Sequence, residues 1–236
     1  MELKNKNVII LGVSGNLGKA IARNFLKEGA RVVGIDSSSC AIKETNFKLI
    51  KLNLIPNLYK IHNKILLESL NEADILINCI TILGEVNYST KVKTKVIRKV
   101  MDNNFYAPME LMQKFLINPI NKQKVLVNIS SFAGSHGTAF HLAYSVSKAA
   151  IDSFLHCVAK ETNSSNNNKI ILIYPRTVKS KLSSDSLKKT LPFFRKENIK
   201  MKITKQKDLL SPEAFAKKVI LAIKKSKKGI NEIKII

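Results

Sequence analysis

A chain of 236 residues with 45% hydrophobic residues can close one substantial core and has little left for a second, so a single domain is expected. It has no apolar run of the ~20 residues a transmembrane helix needs, and Met1-Glu-Leu-Lys-Asn-Lys leads into an apolar segment without a signal-peptide core. A cytoplasmic protein with no membrane role is therefore expected. The three cysteines, Cys40, Cys79 and Cys157, are odd in number and far apart, which speaks against a disulfide framework, and no cluster has metal-ligand spacing, so no metal is expected.

The net charge of +23 comes from 40 basic and 17 acidic residues and raises the question of nucleic acid. The basic residues are mostly scattered lysines with no interleaved stacking aromatics, which disfavours an RNA interface. Compositional bias accounts for the charge, with an acidic partner as the alternative, either a phosphate-bearing substrate or an acidic carrier protein.

Apolar runs alternate with helical patterns along the chain, the signature of a doubly wound parallel α/β sheet of Rossmann type. Strands are expected at Asn7 to Leu11, Arg31 to Ile35, Lys48 to Leu52, Ile75 to Cys79, Val125 to Ile129, Ile170 to Tyr174 and Glu232 to Ile236. Helices are expected at Leu17 to Glu28, Leu58 to Leu70, Lys95 to Leu116, Ala143 to Glu161 and Pro212 to Lys225. The last has Ser211 as cap and Pro212 at its first position. Ser164-Ser-Asn-Asn-Asn-Lys reads as a polar turn. The stretch from Thr177 to Leu210 fits no regular element and follows the carboxyl end of a strand, the side on which open α/β sheets bind ligands.

Gly12-Val-Ser-Gly15-Asn-Leu-Gly18 lies between the first strand and the first helix. Small residues there let the backbone approach a pyrophosphate, and the helix N-terminus supplies N–H groups to it. Ser14, Asn16 and Leu17 are further contact candidates. Asp36 ends the second strand, where a carboxylate can accept both ribose hydroxyls of an adenosine and would repel a 2′-phosphate. No Arg follows closely, so NAD(H) is favoured over NADP(H).

Tyr144 and Lys148 are four residues apart, so a helix presents both on one face. A free phenol near pKa ~10 is a poor proton donor at neutral pH. An ammonium ~4 Å away in an effective dielectric of ~20 is worth up to roughly 4 kcal/mol, and a lowered Tyr144 pKa is expected. Ser131 precedes Tyr144 by thirteen residues, after an apolar strand and the run Asn128-Ile-Ser-Ser131.

These marks, together with Asn104-Phe-Tyr-Ala and Asn78-Cys-Ile-Thr81, occur in an order that resembles the short-chain dehydrogenase/reductase family over nearly the whole chain. The resemblance implies an NAD(P)-dependent oxidoreductase that moves hydride between a nicotinamide and a carbonyl/alcohol substrate. It implies Tyr144 as proton donor or acceptor, Ser131 on the substrate oxygen, Lys148 on the nicotinamide ribose and Asn104 steadying a water. Asn53 with Leu54 near the adenine, Asn78, and Pro175, Thr177 and Val178 after the sixth strand are implied cofactor contacts. A lid over 177–210 is implied, with Leu187, Leu191, Phe193, Phe194 and Met201 as apolar cover or as plain packing, and so is a homotetramer or homodimer.

The chain departs from the family pattern in three places. Leu11 and Asn16 stand where Thr and Gly are usual, Ile80 and Thr81 where Ala and Gly are, and Arg176 where Gly is. A 3-oxoacyl carrier-protein reductase and a sugar or polyketide tailoring reductase are the enzyme alternatives. A nucleotide-binding regulatory or scaffold protein with weakened catalysis is the alternative outside enzymes. His136 and His141, between Ser131 and Tyr144, are either solvated loop residues or polar contacts to substrate.

Overall fold

A computed structural model describes residues 1–55, 64–117, 123–162, 168–199 and 209–235 of the chain. The strands are β1 (Asn7–Leu11), β2 (Arg31–Asp36), β3 (Phe47–Lys51), β4 (Ile75–Asn78), β5 (Val125–Ile129), β6 (Lys169–Pro175) and β7 (Gly229–Ile235). They form one seven-stranded sheet in the order β3-β2-β1-β4-β5-β6-β7, and every pairing is parallel. The helices are α1 (Asn16–Lys27), α2 (Lys64–Glu72), α3 (Thr94–Met101), α4 (Ala107–Ile117), α5 (Phe132–His136), α6 (Leu142–Thr162), α7 (Lys181–Lys196) and α8 (Pro212–Lys225). Among the described residues no helix is long and apolar enough to cross a membrane.

Alternate residues of each strand face opposite layers, as the twofold period of a strand requires. Val8, Ile10, Ile75, Ile77, Val125, Val127, Ile171 and Ile173 pack with Phe25 of α1 and Phe215, Val219 and Ile223 of α8. Ile9, Leu11, Leu76, Leu126, Ile170 and Leu172 pack on the other side with Leu66 of α2, Leu111 and Phe115 of α4, and Ile151 and Leu155 of α6. The second set ends, toward the carboxyl edge, in polar or amphipathic residues of the same parity: Asn78, Asn128, Ser130 and Tyr174. This alternation aims a polar layer at α6.

The expected elements agree with the observed ones to within a few residues, with four differences, one of them the short α5, where no helix is expected. The helix expected over 95–116 is interrupted at Asp102–Tyr106 by a π-helical segment. Pro108 has no N–H to give the Asn104 carbonyl four residues back, so the ordinary helical ladder cannot run through this point and the turn widens. The stretch expected to lack regular structure contains the sixteen-residue α7. It forms because Ser180 and Ser183 make a reciprocal capping box at its start, a signal that a Ser at the third position carries more weakly than the usual Glu. The final strand starts three residues before the expected Glu232, because Asn231 bonds back to Lys227 and Gly229 and shapes the turn into it. The start of the helix expected from Leu58, the polar turn at 164–167 and Met201 lie outside the described residues.

The strand order reverses direction between β1 and β4, which opens a crevice at their carboxyl ends. Gly12, at φ +77°, passes so close that a Cβ would sit 3.0 Å from the backbone of Cys79 and Ile80. A Cβ on Gly18 would sit 2.3 Å from the Gly12 carbonyl oxygen. Only glycines allow this packing of loop, helix and β4 edge. Gly18→Ala is expected to destabilise the protein by about 1–3 kcal/mol, read as a lower urea midpoint at unchanged slope.

Candidate active site

The loop from Gly12 to Gly15 and the first turn of α1 form one wall of the crevice. Gly15 is the N-cap of α1, and no side chain caps the helix, so its first N–H groups and positive dipole end face the cleft. Asp36 braces the loop: its carboxylate accepts the Ser14 N–H at 2.9 Å and the Ser38 N–H at 2.9 Å. Ser14 Oγ in turn donates to the Ser38 carbonyl. A cavity of about 220 Å³ lies here, lined by Gly12, Gly15, Asp36, Asn53 and Leu54 together with Cys79, Ile80, Thr81 and Ile82.

The side chains of several sequence-derived candidates do not line this cavity. Asn78 is fully buried, donating to Asn128 Oδ1 at 2.8 Å and accepting the Ile80 N–H; it shapes the turn after β4 and does not line the cavity. Val178 packs into the core and bridges to Leu210 through its backbone. Thr177 is exposed, and Pro175 ends β6. Leu17 packs against the core. Asn16 Oδ1 accepts the Lys181 N–H at 3.3 Å, joining the glycine loop to the start of α7.

Ser131, Tyr144 and Lys148 come together across the end of β5. Ser131 caps α5, accepting the Ala133 N–H, which leaves its own O–H to donate. The Ser131 hydroxyl lies beside the Tyr144 phenol and favours its ionised form. The Thr81 hydroxyl lies beside the same phenol and favours its ionised form, yet it is buried without completing a hydrogen bond by distance and angle. Lys148 is 2% exposed. Its ammonium donates to the Ile129 carbonyl at 2.9 Å and lies 5.8 Å from the centroid of the Tyr144 ring.

The expectation of a lowered Tyr144 pKa is corrected. Burial raises it above the usual phenol value, outweighing the Ser131 and Thr81 hydroxyls. Desolvation disfavours the phenolate, the Asp152 carboxylate adds to the rise, and the Lys148 ammonium is turned to a backbone carbonyl. Burial also lowers the Lys148 pKa from 10.5 to about 8, opposed by Asp152 and then Cys79. The Cys79 thiol is itself pushed up to about 12 by burial, which leaves it inert at neutral pH.

Asn104 lies in the π-helical turn and is fully buried. It accepts the Ile82 N–H at 2.8 Å and donates to the Ile82 carbonyl and to Ser147 Oγ, each at 2.9 Å. The segment after β4 is thereby tied to α6. His136 is exposed, while His141 is only 4% exposed. The His141 ring bonds the Ala139 carbonyl through Nδ1 and Ser186 Oγ of α7 through Nε2. Phe140 packs against Tyr88, Phe193 and Phe194, so α7 is held across the cleft edge by His141 and an aromatic cluster.

Sequence reading missed Asp152, Asn128, Ser130 and Tyr174, which form a buried polar cluster under Lys148. The signal for Asp152 was present: the series Tyr144, Lys148, Asp152, His156 continues the spacing of four.

The fold is a doubly wound α/β sheet of the Rossmann type with a crevice at the strands' carboxyl ends. The short chain dehydrogenase family model matches residues 6–190, and the chain belongs to that family. Relatives include dehydrogenase/reductase SDR family member 7B of Mus musculus, 28% identical over 203 residues, covering 78% of this chain and 61% of that protein. Another is the 3-oxoacyl-[acyl-carrier-protein] reductase FabG of Vibrio cholerae, 28% identical over 172 residues and 70% of each chain. The chain spans about three fifths of the length of the family member 7B proteins it matches. Solved structures share the fold. A short chain dehydrogenase from Leptospira borgpetersenii with bound NAD+ has a TM-score of 0.78 at 21% identity, covering 99% of this chain and 92% of that one. One from Burkholderia cenocepacia in complex with NADP has 0.77 at 15%, covering 100% and 90%.

A buried ammonium with a lowered pKa costs folding free energy below that pKa, and the cost fades as pH rises from about 8 toward 10.5, because the unfolded chain then holds more protons. The stability of the natural chain is therefore expected to rise as pH goes from about 8 toward 10. Lys148→Met should remove that rise, read as melting temperature against pH.

Proposed function

We propose that the chain is an NAD(P)-dependent oxidoreductase acting on a carbonyl/alcohol pair, with Ser131, Tyr144 and Lys148 as catalytic residues. The observation that supports this most is the Tyr144 phenol, set beside the Ser131 hydroxyl and backed by the buried Lys148, at the edge of a cleft with an uncapped helix N-terminus. The residues present fit a dinucleotide. Gly12, Gly15 and Gly18 give a backbone cradle, the first turn of α1 with Ser14, Asn16 and Leu17 offers amides to a pyrophosphate, and Asp36, Asn53 and Leu54 would receive the adenosine. Pro175, Thr177 and Val178 are proposed to contact the nicotinamide end through their backbone. Asn78 supports it by fixing the turn at Ile80. The bound nicotinamide would supply or accept the hydride.

The chain's own groups then handle the proton. Tyr144 is neutral at physiological pH because burial raises its pKa, so in the reductive direction its O–H is available to the forming alkoxide. Ser131 donates a hydrogen bond to that same oxygen, and the Thr81 hydroxyl is placed to support the phenolate left behind. Lys148 furnishes the positive charge that stabilises the phenolate and is proposed to hold the nicotinamide ribose. Asn104 holds the Ile82 segment in place and is proposed to steady a water behind Lys148.

Asp36 at the ribose end favours NAD(H) over NADP(H), since its carboxylate would repel a 2′-phosphate. We propose that α7, within the stretch 177–210 of which 200–208 lie outside the described residues, acts as a substrate lid, with Phe193 and Phe194 as cover. A cytoplasmic homotetramer or homodimer with a small-molecule substrate, carrier-bound or phosphate-bearing, completes the reading.

Oxidation of NADH and NADPH against β-ketoacyl thioesters, ketosugars and diketones tests it. Turnover is expected, faster with NADH, and Tyr144→Phe should reduce kcat by about 10²–10⁴-fold. Tight NADH binding with no turnover on any carbonyl would favour the regulatory reading. Because Lys148 loses its proton near pH 8, before Tyr144 does, kcat for reduction should fall as pH rises through about 8. Asp36→Ser is expected to weaken NADH binding and shift the preference toward NADPH, measured by cofactor fluorescence.

A further inference from the structure

Below Tyr144 and Lys148 the inner face of α6 carries two more titratable groups at the same spacing, Asp152 and His156. One turn of helix separates each from the next, so their side chains stack along one stripe. Asp152 is 8% exposed, and a carboxylate survives such burial only with donors around it. Ser130 Oγ donates to its Oδ2 at 2.5 Å and Asn128 Nδ2 to its Oδ1 at 3.4 Å. The Tyr174 hydroxyl of β6 lies beside it and favours its ionised form. Asn78 locks Asn128 from the other side. Asn128 and Ser130, at the end of β5, therefore hold one carboxylate under one lysine, with Tyr174 of β6 beside it, while that lysine donates to the Ile129 carbonyl between Asn128 and Ser130.

We propose that Asp152 is a positioning residue for Lys148: held by Ser130, Asn128 and Tyr174, its carboxylate supplies the counter-charge that keeps the buried ammonium protonated and aimed at the end of β5. The proposal deepens the oxidoreductase reading of this site and assigns Asp152 no contact with substrate or cofactor.

The charged and titratable groups around the pair are few. Lys148 faces Asp152 and Tyr144 on α6 and Cys79 after β4. Asp152 faces Tyr144, Lys148 and His156 on α6 and Tyr174 on β6. Beyond them His156 Nε2 pairs with Glu232 Oε1 of β7 at 3.0 Å in solvent, with side chains 40% and 47% exposed. That outer pair is screened by water and contributes little to the charge on Lys148. Burial raises the Asp152 pKa, opposed first by the Ser130 hydrogen bond and then by Lys148. Each member of the pair thus favours the ionised form of the other against the same desolvation.

Two NMR titrations on the full chain test the coupling without substrate. With lysine labelled at Cε and Lys148 assigned through Lys148→Arg, the midpoint near 8 is expected to fall by about one pH unit in Asp152→Asn. Asp152→Glu should restore part of the shift. In Lys148→Met, the Asp152 carboxyl resonance should titrate at higher pH than in the natural chain; this arm decides the matter if Asp152→Asn fails to fold. Where turnover is measurable, the alkaline limb of kcat in Asp152→Asn should move to lower pH with KM little changed. A Lys148 midpoint that stays put in folded Asp152→Asn, or an Asp152 midpoint indifferent to Lys148→Met, overturns the proposal. Coupled midpoints in a protein that never turns over a carbonyl support the charge coupling and count against the oxidoreductase reading alone.

Discussion

The ammonium of Lys148 is withdrawn from water into a layer of strands and helices whose bulk is apolar, and a lone charge there would drive its own neutralisation. The surroundings answer that requirement. The Ile129 carbonyl takes one N–H, and a carboxylate sits one turn away on the same helix. The strands feeding that carboxylate end in Asn128, Ser130 and Tyr174 instead of in more valine and leucine. The same parity that makes Leu76, Leu126 and Leu172 a continuous apolar sheet face makes the next residues along each strand its polar rim. The core and the site are therefore one periodic pattern that changes chemistry at its carboxyl edge.

The cofactor side of the crevice obeys a different constraint, close approach of backbone to backbone. Gly12 abuts the Cys79–Ile80 peptide, and Gly18 abuts the Gly12 carbonyl. These contacts hold the turn after β4 tightly enough that Ile80 and Thr81 can stand where the family usually has smaller residues. The Ile82 end of that segment is secured by the three hydrogen bonds of Asn104, which reaches inward because Pro108 breaks the helical ladder. A departure from the family pattern in one segment is thus supported by anchors on both sides of it.

Held over the other edge of the cleft, α7 touches the glycine loop through Asn16, the loop before Tyr144 through His141, and Tyr88 through Phe193 and Glu197. Burial lowers the His141 pKa, so the ring sits neutral between a carbonyl and a hydroxyl. These contacts join segments far apart in sequence, and each involves a residue whose type alone does not announce a role.

Much of this molecule is legible in its residues because the relevant physics is local. Alternating strand patterns, glycine stops, Ser211 before Pro212 and the spacing of Tyr144 and Lys148 all act within a few positions, and from them follow the parallel sheet, the glycine cradle and the group of Ser131, Tyr144 and Lys148. Folding in three dimensions settled what depends on distance and dielectric: that the Tyr144 pKa rises instead of falling, that Asn78 turns inward, that 181–196 is helical across the cleft, and that Asp152 underlies Lys148. A side chain's charge state and partners are set by how much water the rest of the chain removes from around it. That quantity comes into being only when strands distant in sequence close over one another.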